Sequence, residues 1–232
     1  MSLQAKSDEF ASRLSSLIGG CVAGAPEFGI VKASKAHQLR IGPMPFDAER
    51  SGFAFIPLAR SRDAGQERLM LKIEFRVSLD EELEFLAVQH STYGLWARPV
   101  PRRKLRPVFR VEYDRDAYNK SPAHVHVHAE SLEFGWIYGT AGLPPPRLSE
   151  IHFPVGGRRF RPTVEEFLKF LDREELFVDW QEGWAGIVEE SLGEWERNQA
   201  QATVRQHTKA AVAQLRRMGY GITPPPSAIG MG

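Results

Sequence analysis

Along residues 69–77, Leu-Met-Leu-Lys-Ile-Glu-Phe-Arg-Val, apolar and polar side chains alternate, and this restricts the fold more than any other feature of the chain. Successive side chains of a strand point to opposite faces. Leu69, Leu71, Ile73, Phe75 and Val77 therefore share one face, and Lys72, Glu74 and Arg76 the other. A run with this period predicts a half-buried antiparallel strand. Residues 84–90 and 107–113 read the same way, with Phe109, Val111 and Tyr113 on one side of the latter. Gly52 to Pro57 adds a short apolar run. The two ends of the chain carry a different period. Phe10, Leu14, Leu17 and Ile18 stand at helical spacing before a Gly19-Gly20 stop. Thr163-Val164-Glu165-Glu166 is a capping box that opens a helix with Val164, Phe167, Leu168 and Leu171 as its apolar stripe. Two more helices are predicted over 184–197 (Ile187, Val188, Leu192, Trp195) and 202–218 (Val204, Ala211, Val212, Leu215, Met218), the last ended by Gly219.

Strands first and helices last predict an α+β fold. The expected form is a curved antiparallel β-sheet with an N-terminal helix and a C-terminal helical segment packed on one face or end. The expected organisation is a single α+β domain over 1–222: helix over 1–20, a β-rich part over 28–161 and a helical part over 163–219. Residues 223–232, rich in proline and glycine, are expected to form a disordered tail.

Composition narrows the partners. The net charge of +1 over 232 residues excludes a strong overall pull toward nucleic acid or membrane, so such a partner must be met by a local patch. The only cysteine, Cys21, cannot form an internal disulfide and excludes a cysteine-rich zinc module. Ile18-Gly19-Gly20-Cys21 comes near a lipoprotein cleavage box, but the apolar stretch before it is too short for a secretory signal. No stretch approaches the roughly 20 apolar residues of a membrane-spanning helix. The expected location is the cytoplasm, with no membrane partner. Nothing in the sequence sets an oligomeric state.

The chemistry-bearing run is Ala123-His124-Val125-His126-Val127-His128-Ala129. As a strand it puts His124, His126 and His128 on one face. Alternate side chains on a strand stand roughly 7 Å apart, from a rise of about 3.3 Å per residue. Three on a straight strand span too far for one ion bound at about 2.0–2.1 Å. A single-ion site would use at most two of them and a donor from elsewhere. His152, on the polar side of its own strand, is the histidine expected to supply it, and Glu130 and Glu112 are acidic partners within the same region. The metal donors expected on these grounds are His124, His126, His128 and His152, with a divalent ion such as zinc as the cofactor. The competing reading is a solvated polar face of the sheet. A third reading needs no metal and uses His126, His128 and His152 as general acid and base on a phosphodiester. His126-x-His128 fails the two-histidine phosphoesterase pattern, in which each histidine is followed two residues later by Ser or Thr. His124-x-His126 with Glu130 has the spacing of a cupin metal motif, but Tyr118 stands where the cupin glycine belongs.

Two basic groups accompany the histidines. Residues 98–115 carry seven Lys/Arg against Glu112 and Asp114, with Tyr93 and Trp96 just upstream. Arg102 and Arg103 there, and Arg158, Arg159 and Arg161 after Gly156-Gly157, are candidate contacts for an anion or a nucleic-acid backbone. The bland alternatives are a solvated connector for the first and a tight hairpin for the second. Charge also segregates later: residues 165–196 hold eleven Asp/Glu against Lys169 and Arg173, and residues 197–217 hold five Lys/Arg and no acid. Neutralisation between neighbouring helices or an acidic surface for a basic partner would each account for this.

Residues 119–128, Asn-Lys-Ser-Pro-Ala-His-Val-His-Val-His, together with 151–163, Ile-His-Phe-Pro-Val-Gly-Gly-Arg-Arg-Phe-Arg-Pro-Thr, resemble a group of uncharacterised actinobacterial proteins over about residues 70–223. Ser121 to Val127 is also similar to the Pro-Pro-His-x-His-Val segment of small toxin–antitoxin-associated domains, with Ala123 in place of the second proline. The second resemblance implies a bacterial stress or defence setting. On that basis the expected function is a binding or regulatory component of a toxin–antitoxin or defence-type system, with a protein partner. The alternative is a hydrolase or nuclease-like enzyme built on the histidine cluster.

Overall fold

A computed structural model describes residues 1–49, 52–58, 69–98, 104–129, 153–155, 161–177 and 179–223, with the side chains of Phe153 and Pro154 left aside. Helix α1 (Leu3–Cys21) opens the chain. Among the described residues ten strands follow: β1 (Phe28–Lys32), β2 (Leu39–Pro43), β3 (Phe46–Asp47), β4 (Gly52–Phe53), β5 (Ile56–Pro57), β6 (Leu69–Leu79), β7 (Leu86–Ala97), β8 (Arg106–Asp114), β9 (Ala123–Val127) and β10 (Phe153–Pro154). Helices α2 (Val164–Arg173), α3 (Trp184–Gln206) and α4 (Thr208–Arg217) close it. The α+β fold read from the sequence is present. Among the described residues, the main sheet runs in the order β1-β2-β6-β7-β8-β9-β10, with β5 also on β6, and every pairing is antiparallel. Strands β3 and β4 pair separately.

The alternation in β6 decides which face is dry. Leu71, Ile73, Phe75 and Val77 are buried, while Lys72, Glu74 and Arg76 are half-buried on the other face. Helix α1 covers the dry face with Ala11, Leu14, Leu17 and Ile18, and its Phe10 meets Phe75 edge to face at 5.0 Å. Helix α2 covers the same face farther along. Its Phe167 lies 5.6 Å from Phe109 and 6.1 Å from Tyr93. The capping box that opens α2 is formed: the Glu166 amide donates to Thr163 Oγ1 at 3.0 Å and the Thr163 amide donates to Glu166 Oε2 at 3.1 Å. These two backbone donors would otherwise be left without partners at the helix start.

The chain divides into two compact units, Met1–Val188 and Glu189–Gly232. The first holds the sheet, α1, α2 and the opening turn of α3, whose Val188 is fully buried in the core. The second holds the rest of α3 and α4. Helix α3 continues through 198–201, where the sequence suggested a gap, and the break falls at His207. Asn198-Gln199-Ala200-Gln201 contains neither glycine nor proline, so nothing there stops a helix. The switch from acidic to basic thus falls within one helix: Glu189, Glu190, Glu194 and Glu196 precede Arg197 and Arg205. The expected tail lies outside the described residues from 224 onward. Among the described residues, no helix is long and apolar enough to cross a membrane.

Cys21 ends α1 fully buried. Burial, and then the nearby Glu165 carboxylate, push its thiol up to about 11 from the ordinary 9.0. The unfolded chain then ionises this thiol at lower pH than the native one does. Stability is expected to be intact below pH 9 and to fall between 9 and 11, by an amount on the order of 2 kcal/mol. Urea unfolding at pH 8 and pH 10.5 measures it, and Cys21→Ala should remove that part of the loss.

Candidate metal centre

The register of β8 against β9 builds the site. Glu112 lies directly opposite His124, and Arg110 opposite His126. Residues of one parity on two paired strands share a face, so Arg110, Glu112, His124 and His126 all project from the polar face. Tyr113 opposite Ala123 and Val111 opposite Val125 occupy the other, and this apolar pairing holds the register: a slip of one residue would turn every histidine to the wrong side.

One imidazole nitrogen from His124, one from His126 and one Glu112 carboxylate oxygen lie within 4.8 Å of one another. Glu112 Oε2 is 3.6 Å from His124 Nε2 and 3.4 Å from His126 Nε2. A tetrahedral ion bonded at 2.0–2.1 Å spaces its ligand atoms by roughly 3.3 Å, so the two carboxylate–imidazole separations match two edges of a zinc-sized tetrahedron. The imidazoles meet edge to face, 4.9 Å between centroids.

Two of the three donors, His124 and Glu112, are oriented from behind. His124 Nδ1 lies 2.8 Å from the Ser121 carbonyl, which can only accept, so Nδ1 carries a proton and Nε2 faces the other two donors. Ser121 is placed for this by the turn before β9, where the Asp114 amide donates to the Pro122 carbonyl at 2.8 Å. Arg110 Nη1 holds Glu112 Oε1 at 3.4 Å and leaves Oε2 toward the histidines. Burial alone would push the Glu112 carboxyl up. The His124 imidazole, the Arg110 guanidinium, and then His126 and His90 outweigh it and bring the carboxyl down to about 2. The carboxylate is therefore ionised throughout the neutral range, as a metal donor must be.

The side chains of His124 and His126 are 0 % and 7 % exposed, and that of Glu112 13 %. The solvated-face reading of the stripe is thereby overturned: two of its imidazoles are sequestered around a carboxylate. His128 lies just past β9, its amide donating to the Val108 carbonyl at 3.0 Å, and it does not belong to the cluster. Burial, then the charges of Arg110 and His126, push its imidazole below the ordinary range. His152, Glu130, Arg102, Arg103, Arg158 and Arg159 lie outside the described residues. Arg161 is described. Its Nη1 is 3.5 Å from the Tyr93 hydroxyl on the dry side of the sheet, away from the histidines. The candidate donor from another element is Glu112, which the sequence offered only as one of two acidic partners. Its signal was its place on the polar side of an alternating run.

The cluster supplies two nitrogens and one oxygen. Three protein donors leave a fourth tetrahedral position for water or substrate, the arrangement of catalytic rather than structural zinc sites. No protein-family model, no curated protein and no solved structure matches the chain.

Proposed function

We propose that the chain is a metal-dependent hydrolase whose centre is Glu112, His124 and His126. One observation carries this reading: a carboxylate and two imidazoles converge near ligand spacing, with Glu112 already held by Arg110 and His124 by Ser121. The donor set suits zinc, which would supply an activated water at neutral pH. Glu112 and the two histidines would hold the ion. Arg110 would stabilise negative charge growing on the substrate beside it. A plain docking surface has no need for this cluster, because burying a carboxylate and two imidazoles costs stability that an apolar patch would not. The reading therefore favours catalysis over a binding role alone. The resemblance around Ser121–Val127 supports a bacterial defence setting for that activity.

Protein freed of any affinity tag and stripped with chelator is expected to take up one zinc or cobalt ion per chain. It should hydrolyse at least one of a panel of activated phosphate and carboxylate esters only when loaded. Glu112→Gln should lose both properties. A loaded and a stripped protein with equal hydrolytic activity, or a Glu112→Gln variant that keeps full activity, would overturn the proposal.

A further inference from the structure

The register extends the site beyond its donors. In the row of the sheet that holds His126, the neighbours across β8, β7 and β6 are Arg110, Gly94 and Lys72. Gly94 carries no side chain, and Trp96 fills its place. A Cβ at position 94 would collide with the Trp96 ring and come within 3.0 Å of the Phe109 carbonyl oxygen. The indole thus lies across the sheet between Arg110 and Lys72. Phe55 braces it edge-on, 5.4 Å between centroids, and Lys72 Nζ stands 6.0 Å from its centre. The two cations flank it on strands spaced by roughly 9.6 Å, twice the interstrand distance. Both remain partly open, Arg110 at 31 % and Lys72 at 27 %, each beside a carboxylate: Glu112 at 3.4 Å from Arg110 and Glu74 at 3.6 Å from Lys72. Among the described residues, Arg110 Nε is buried with no hydrogen-bond partner.

The order is candidate metal donors, guanidinium, half-buried indole, ammonium. We propose that this tract binds a nucleotide phosphoester. The phosphoryl group would sit at the metal donors and Arg110, the base would stack on Trp96, and Lys72 would meet a further phosphate. This assignment rests on the metal-hydrolase reading and narrows it to a substrate class. Arginine and lysine select an anion, and a flat ring beside them selects a base, because every nucleobase offers a π-face and stacking tolerates its identity. A free nucleotide and a unit of a single strand share this chemistry.

Calorimetric titration of the full chain, with metal content measured on the same sample, tests it. The probes are adenosine monophosphate, a short single-stranded oligonucleotide, inorganic phosphate and adenosine. Adenosine monophosphate is expected to bind at least about 10-fold tighter than phosphate. Trp96→Ala should remove that advantage while leaving phosphate affinity unchanged, and Trp96→Phe should retain part of it, which separates stacking from loss of folding. Stacking of one base is worth about 5- to 150-fold. An oligonucleotide that binds tighter still, with a salt-dependent affinity, assigns the tract to a strand; equal affinity assigns it to a free nucleotide. Metal bound in stoichiometric amount with no preference of nucleotide over phosphate overturns this inference alone. Absence of bound metal overturns the metal-hydrolase reading on which it stands.

Discussion

Replacement of His126 by alanine is expected to abolish stoichiometric metal binding, with affinity lowered at least about 100-fold. Groups that merely orient a ligand are worth 10- to 100-fold in metal affinity, so loss of a direct donor belongs at or beyond the upper end of that range. Two donors would remain, and His124 Nε2 and Glu112 Oε2 at 3.6 Å form only one edge of the coordination tetrahedron. The sheet should survive the change. His126 projects from the polar face of β9, and the pairing of Val111 with Val125 behind it is untouched. Glu112 would lose one of the charges that hold its carboxyl low, so that group should rise from about 2. His128→Ala is the matched control. It removes a histidine of the same stripe that stands outside the cluster, and one ion per chain should still bind. Cobalt absorption and elemental analysis read both variants. Binding should weaken as pH falls, because protons compete for the imidazole nitrogens while the Glu112 carboxylate stays ionised.

The alternation of the stripe showed in the sequence that its histidines share a face, and the rise per residue showed that a single ion needs a donor from another element. Which donor was hidden, because the partner of His124 depends on the pairing of β8 with β9. That register is set by Tyr113 against Ala123 and Phe109 against Val127, contacts between segments ten or more residues apart. A loop between two strands leaves their offset open to several values, and each brings a different polar residue across from the histidines. Glu130 and Glu112 looked equal for this reason. Trp96 was legible only as an aromatic near a basic run. Its role follows from the register that sets Gly94 between Arg110 and Lys72.

The fold was more legible than the site because its signals are local. Period-2 alternation in β6, the capping box at Thr163 and the apolar spacing of α1 each specify an element without help from the rest of the chain. Strand order required long-range contacts: β2 pairs with β6 across the β3–β4 excursion, and no periodicity announces that. The gap expected between the second and third C-terminal helices failed for a local reason, since four polar or small residues without a breaker continue a helix as readily as they end one.

Phe75→Ala is expected to destabilise the protein by about 3–5 kcal/mol, the cost of truncating a buried phenylalanine. Phe75 is 2 % exposed. It joins three elements, because its ring meets Phe10 of α1 at 5.0 Å and Tyr93 of β7 at 5.6 Å, and Tyr93 in turn meets Phe167 of α2. A domain of ordinary stability has about 5–15 kcal/mol in total, so the variant should unfold at much lower urea concentration with little change in slope. Met218→Ala, at a residue 62 % exposed beyond α4, should cost less than about 0.5 kcal/mol. Phe75 lies on the opposite face of the sheet from the metal donors, so the folded fraction of Phe75→Ala should keep the site. Metal added at 100 times its dissociation constant would then return about 2.7 kcal/mol, because an ion that binds only the folded chain stabilises it by mass action. A Phe75→Ala midpoint that rises with zinc, beside a His126→Ala midpoint that does not, would place the ion on the folded sheet at the Glu112–His124–His126 cluster.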